Sequence, residues 1–77
     1  MCKLPCVSGE QVVAAFERMG FSVVRITSSH HIMKKPAHRY NLSVPVHSGE
    51  TVKAGTLRRL IRDSGGTVEE FVACLRL

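Results

Sequence analysis

Phe21-Ser22-Val23-Val24-Arg25-Ile26-Thr27-Ser28-Ser29-His30-His31-Ile32-Met33-Lys34-Lys35 is the stretch that decides how this chain folds. From Phe21 to Thr27 the pattern has a period near two and is rich in β-branched side chains, which suit a pleated surface and crowd a helix. Thr27-Ser28-Ser29 is a polar break, after which an extended run resumes at His30 and lasts until Pro36. A hairpin turning at Ser28 and Ser29 is the simplest structure that uses both runs. Upstream the period is different. Val12, Phe16 and Met19 recur at helical spacing over residues 9–19, Ser8 and Gln11 have the spacing of a capping box, and Gly20 supplies a left-handed stop.

Downstream, residues 40–46 alternate again, with Leu42, Val44 and Val46 set against Ser43, Pro45 and His47. Pro45 has no N–H to give to a ladder, so this strand belongs at a sheet edge. Residues 53–64 return to helical spacing through Leu57, Leu60 and Ile61, present Arg58, Arg59 and Arg62 on the other side, and end at Gly65-Gly66. Thr67-Val68-Glu69-Glu70 is a second capping box, and Phe71, Cys74 and Leu75 form the stripe of a short last helix. The fold class expected from this order is α+β, a three-stranded antiparallel sheet with two helices on one face. The order α-β-β-β-α plus a short C-terminal helix is also that of double-stranded-RNA-binding domains. A length of 77 residues argues for a single domain spanning 1–77, in which the unpatterned residues 1–7 read as a flexible leader.

Composition narrows the chemistry. The formal net charge is +5, and between Phe21 and Arg62 eight basic residues face one acid, Glu50. Such segregation suits a polyanion, either nucleic acid or an acidic protein surface. Cys2, Cys6 and Cys74 are an odd number without a metal-ligand or disulfide spacing, so reduced thiols are expected. No apolar run reaches the length of a membrane span or a secretory signal, which points to the cytoplasm.

All four histidines, His30, His31, His38 and His47, fall inside the basic segment. Cleaving RNA without a metal requires a base for the 2′-hydroxyl proton, an acid for the leaving 5′-oxygen and cations for the charge on phosphorus. Imidazole titrates near neutrality and can serve both proton transfers, while lysine and arginine can serve the last. Acidic residues are too few here for a carboxylate-held magnesium site. Lys34, Lys35 and Arg39 are candidates for gripping phosphates beside the hairpin. Lys53 stands at the start of the second long helix, whose free N–H groups suit an anion. His47 lies on the outward side of its strand, as a solvent-facing residue or an RNA contact, and His38 reads as a solvated loop residue.

Four pieces of the sequence taken together resemble the HicA family of toxin–antitoxin ribonucleases. They are Gly20-Phe21-Ser22-Val23-Val24-Arg25, Ser28-Ser29-His30-His31, Val44-Pro45-Val46-His47 and Lys53-Ala54-Gly55-Thr56-Leu57-Arg58-Arg59-Leu60-Ile61. The resemblance implies the double-stranded-RNA-binding-domain-like fold and cleavage of messenger RNA with neither metal nor other cofactor. It also implies neutralisation by a HicB antitoxin encoded beside the toxin. The family's Gly-Ser-His motif falls on Ser28, Ser29 and His30, which makes His30 the implied catalytic residue. His31 is the alternative, since a one-residue shift exchanges which imidazole faces the open surface. Serine at position 28 departs from the family glycine, so a positive φ there carries a strain of about 1 kcal/mol. A non-catalytic module that binds RNA or a protein is the alternative function.

Overall fold

The computed structural model describes residues 4, 6–47 and 49–75. Its elements follow the expected order: α1 (Gly9–Arg18), β1 (Ser22–Thr27), β2 (His30–Lys34), β3 (Leu42–Pro45), α2 (Ala54–Ser64) and α3 (Val68–Leu75). The class is α+β. α1 starts where the capping box places it, with the Gln11 N–H donating to Ser8 Oγ at 3.2 Å and the Ser8 N–H donating to Gln11 Oε1 at 3.0 Å. Thr67 and Glu70 repeat the arrangement at the head of α3. α2 closes on Gly65 in the left-handed conformation, φ 80°.

The sheet has the order β1-β2-β3 and both pairings are antiparallel. Successive strand side chains point to opposite faces, so the register assigns each residue of β2 to a side. Met33 pairs with Leu42 and Val23, and His31 pairs with Val44 and Ile26, on the face that the helices cover. His30, Ile32 and Lys34 take the other face, where Arg25, Thr27, His30 and Lys34 are exposed. The β1–β2 register slips by one between Val23 and Arg25, leaving Val24 as an extra residue. That bulge has a consequence for charge: it turns Arg25 onto the open face opposite Ile32, where unbroken alternation would have set it on the helix side.

Phe16 is the centre of the core. It is fully buried, meets Phe21 edge-on at a centroid distance of 5.9 Å and lies tilted against Phe71 at 5.2 Å. One side chain therefore ties α1, the entry to β1 and α3 together, and its burial is worth about 1.5–3 kcal/mol. Arg18 adds a polar tie, donating from its guanidinium to the Cys74 carbonyl oxygen at 2.7 Å.

Two expectations change at the edges of the fold. Residues 1–7 read as a leader, yet Val7 is wholly buried and its carbonyl accepts from the Val52 N–H at 2.9 Å, while Leu4 packs against the core. Residues 1–3 and 5 lie outside the described residues. The third strand is shorter than residues 40–46, although the ladder runs one step further through the Val46 N–H donating to the Ser29 carbonyl oxygen. Cys6 and Cys74 are free thiols, and Cys2 is outside the described residues.

Two positions give measurable consequences. Ser28 has φ 54°, at the first central position of a two-residue hairpin turn, where glycine is favoured in a type II′ geometry. A left-handed serine costs about 1–2 kcal/mol, and glycine's freer unfolded chain returns about 0.5–1 of that. Ser28→Gly is therefore expected to stabilise the protein by roughly 0.5–1 kcal/mol, visible as a raised denaturant midpoint with an unchanged m-value; a lowered midpoint refutes the strain. At Gly9 an added Cβ would run into the Pro45 carbonyl oxygen and come within 2.7 Å of Val46 Cα, both backbone atoms that cannot swing aside. Gly9→Ala, at the first position of α1, gains at most about 1 kcal/mol of helix propensity against an overpacking cost of about 1–3 kcal/mol. Its thermal midpoint should fall, and an unchanged or higher one means that the α1–β3 approach is looser than described.

Candidate active site

The hairpin turn is made by Ser28 and Ser29, and His30 is the first residue of β2 beyond it. Thr27 stands across from it on one side and Pro45 on the other. His30 is exposed on the open face, so its ring reaches solvent with no helix above it. His31 is one step along the strand and faces the other way. Its ring is partly buried between its cross-strand partners Ile26 and Val44, and its Nδ1 is buried without a hydrogen-bond partner. The pleat has thus separated the two candidate imidazoles, one offered to a ligand and one turned toward the helix side.

Pro45, directly across from His30, forms one wall of an open cleft of about 310 Å³. His47, Glu50, Thr51, Val52, Lys53 and Thr56 complete it. Lys53 is the N-cap of α2, but no side chain bonds the first-turn N–H groups there. Open space surrounds the position where a Cβ of Gly55 would stand, so no packing contact accounts for that glycine. The uncapped helix start, the Lys53 ammonium and the His47 ring give this side of the sheet a surface suited to an anion, with Glu50 as the one carboxylate in the cleft.

The remaining candidate cations are elsewhere. Lys34, Lys35 and Arg39, read as phosphate contacts beside the hairpin, lie at the end of β2 away from its turn, because antiparallel strands carry the β1–β2 turn and the β2–β3 loop at different ends of the sheet. Lys34 shares His30's face at roughly 13 Å, four residues along an extended strand. Lys35 bends back, its ammonium 5.7 Å from the centre of the Phe21 ring. Arg39 is exposed in the loop, as are Arg58, Arg59 and Arg62 along α2.

His38 departs most from its reading as a solvated residue. Its Nε2 lies 2.7 Å from the Asp63 carbonyl oxygen in the last turn of α2, and its ring meets Phe21 and Tyr40 edge-on at 5.3 and 6.2 Å. It clasps the β2–β3 loop to the end of α2. A helix C-terminus attracts such a donor, but its nearness to residue 38 is a matter of tertiary packing. Among the described residues, no three His, Cys, Asp or Glu side chains are grouped so as to hold a metal ion, and no helix is long and apolar enough to cross a membrane.

No significant match was found among curated proteins. Residues 9–65 match the family described as the HicA toxin of bacterial toxin–antitoxin systems. The matched segment opens with the first residue of α1 and closes on the residue that caps α2, so it carries the whole sheet, the hairpin turn, both candidate imidazoles and the cleft. With most of its length matched in this way, the chain belongs to the HicA toxin family of bacterial toxin–antitoxin systems.

Proposed function

We propose that this toxin is an endoribonuclease that cleaves messenger RNA in the cytoplasm without a metal, with His30 as a proton-transfer residue and a HicB antitoxin as its inhibitor. The observation that carries this reading is the exposure of His30 on the uncovered face of the sheet, directly across from a wall of the cleft that holds His47 and Lys53. A single-stranded or loosely structured RNA laid on this face meets an imidazole at the hairpin end and cations on either side. Lys53 and the α2 N-terminus attract phosphate at one edge, while Arg25 and Lys34 hold the backbone further along the strands.

In the reaction, the ribose 2′-oxygen attacks the adjacent phosphorus and gives up its proton. The bond from phosphorus to the 5′-oxygen breaks, that oxygen takes up a proton, and the products are a 2′,3′-cyclic phosphate and a free 5′-hydroxyl. His30 moves one of these protons, a role worth about 10²–10⁴ in rate. His31 is poorly placed for this, because reaching the open face requires the strand to flip. The antitoxin inhibits by covering the His30 face or the basic rim, either of which excludes RNA.

The test is incubation of the purified protein with RNA in the presence of EDTA. We expect fragments ending in a cyclic phosphate, their loss in His30→Ala, and cleavage within a few-fold of the parent in His31→Ala, with folding checked by circular dichroism. Salt-dependent RNA binding without shortening of the RNA identifies a binding module instead. Full cleavage by His30→Ala removes this histidine from the mechanism.

A further inference from the structure

Resting on the ribonuclease reading, the reaction calls for proton-transfer groups on both sides of the phosphorus. The attacking 2′-oxygen loses its proton on one side of the phosphorus, while the departing 5′-oxygen gains one on the other, so a single imidazole cannot serve both oxygens at once. Each proton-transfer group must come within about 2.6–3.2 Å of its own oxygen. The partner of His30 must therefore reach the same phosphodiester from a separate position.

Of the other histidines, two are committed elsewhere. His31 faces the helix side with its Nδ1 buried, and His38 is held by the Asp63 carbonyl and by its packing on Phe21. His47 is exposed, and its ring has no such tie among the described residues. Its position follows from the ladder. His30 pairs with Pro45, the Ser29 carbonyl still accepts from the Val46 N–H, and Val46 packs against the core, so alternation turns His47 to the side that Pro45 occupies. Pro45 and His47 indeed line one cleft. Cross-strand diagonal neighbours on one face stand roughly 7–8 Å apart, a separation that two imidazole side chains can close from either side of one phosphate.

We propose that His47 is the second proton-transfer residue, and that the scissile phosphodiester lies over Pro45 between the His30 and His47 rings. Lys53, in the same cleft, stands where it can stabilise the charge on the phosphorane, and Thr56 offers a hydroxyl to the same anion. The charged and titratable groups that share the cleft with His47 are Glu50 from its own loop and Lys53 from the start of α2, and His30 of the hairpin stands across the ladder from Pro45. Two imidazoles working on one phosphate, one neutral and one protonated, impose a bell-shaped dependence of kcat/KM on pH.

His47→Ala is expected to lower kcat by about 100-fold or more and to remove one limb of that bell, while changing KM little. His47→Asn, which keeps a hydrogen-bonding side chain but cannot take up a proton near neutrality, should lose the same limb, and circular dichroism reports whether either variant is folded. An RNA with sulfur in place of the bridging 5′-oxygen separates the two roles, because a thiolate leaves without a proton. Cleavage of that substrate should be restored in one of the two variants His30→Ala and His47→Ala and not in the other. Variants of His47 that raise KM alone, with kcat and the pH profile intact, make His47 a binding contact and overturn the inference. A parent protein that leaves RNA intact overturns the ribonuclease reading itself.

Discussion

Met33 lies wholly inside the apolar core, paired with Leu42 and Val23, and in a strand the fate of one side chain fixes that of its neighbours. Because the side-chain period is two, burying Met33 sends His30, Ile32 and Lys34 to the opposite face and keeps His31 on the helix side. A slip of one residue would bring Ile32 and Lys34 to the core side and push Met33 into water. For Lys34 that means an unpaired buried charge, which is far costlier than the loss of apolar contact. Which of the two adjacent histidines is exposed on the open face is thus decided by the burial of Met33 and the charge of Lys34.

The same small sheet has to supply both a core and a working surface. The helices occupy one face, with Phe16 joining α1, α3 and the entry to β1, and the other face carries the exposed Arg25, His30 and Lys34. Chain economy produces the crowding of functional groups at the hairpin end. Gly9 lets the start of α1 approach the end of β3, and the Val7 to Val52 hydrogen bond draws the segment before α2 to the same end. Pro45, His47 and Lys53 therefore border one cleft, with His30 directly across the ladder from Pro45. Some of this arrangement is held against local preference. Ser28 sits at a positive φ and His31 Nδ1 is buried without a partner, costs that a small domain bears only where the rest of the packing is sound.

Much of the fold was legible in the residues because the forces that make it are local. The Ser8–Gln11 and Thr67–Glu70 boxes announce helix starts through their own hydrogen bonds, and the change of apolar period at Phe21 announces the strands. The family glycine that Ser28 replaces raised the question of a positive φ at this turn, and Ser28 has φ 54°. His30 stood out through the same motif and through the clustering of histidines among cations.

Other features needed three dimensions. The bulge at Val24 sends Arg25 to the open face, and nothing in Ser22-Val23-Val24-Arg25 marks which residue is the extra one. Lys35 read as a phosphate contact and His38 as a solvated loop residue until the loop folds back on Phe21 and the end of α2. Val7 looked like part of a leader, because a lone apolar residue has no period to reveal it. What the sequence determined by itself were the element types, their caps and the imidazole offered at the turn, since these depend on neighbours within a few residues. Which groups meet across the cleft, and which cations are drawn away from it, was decided by tertiary structure, because contacts between residues far apart in the chain depend on how sheet and helices pack.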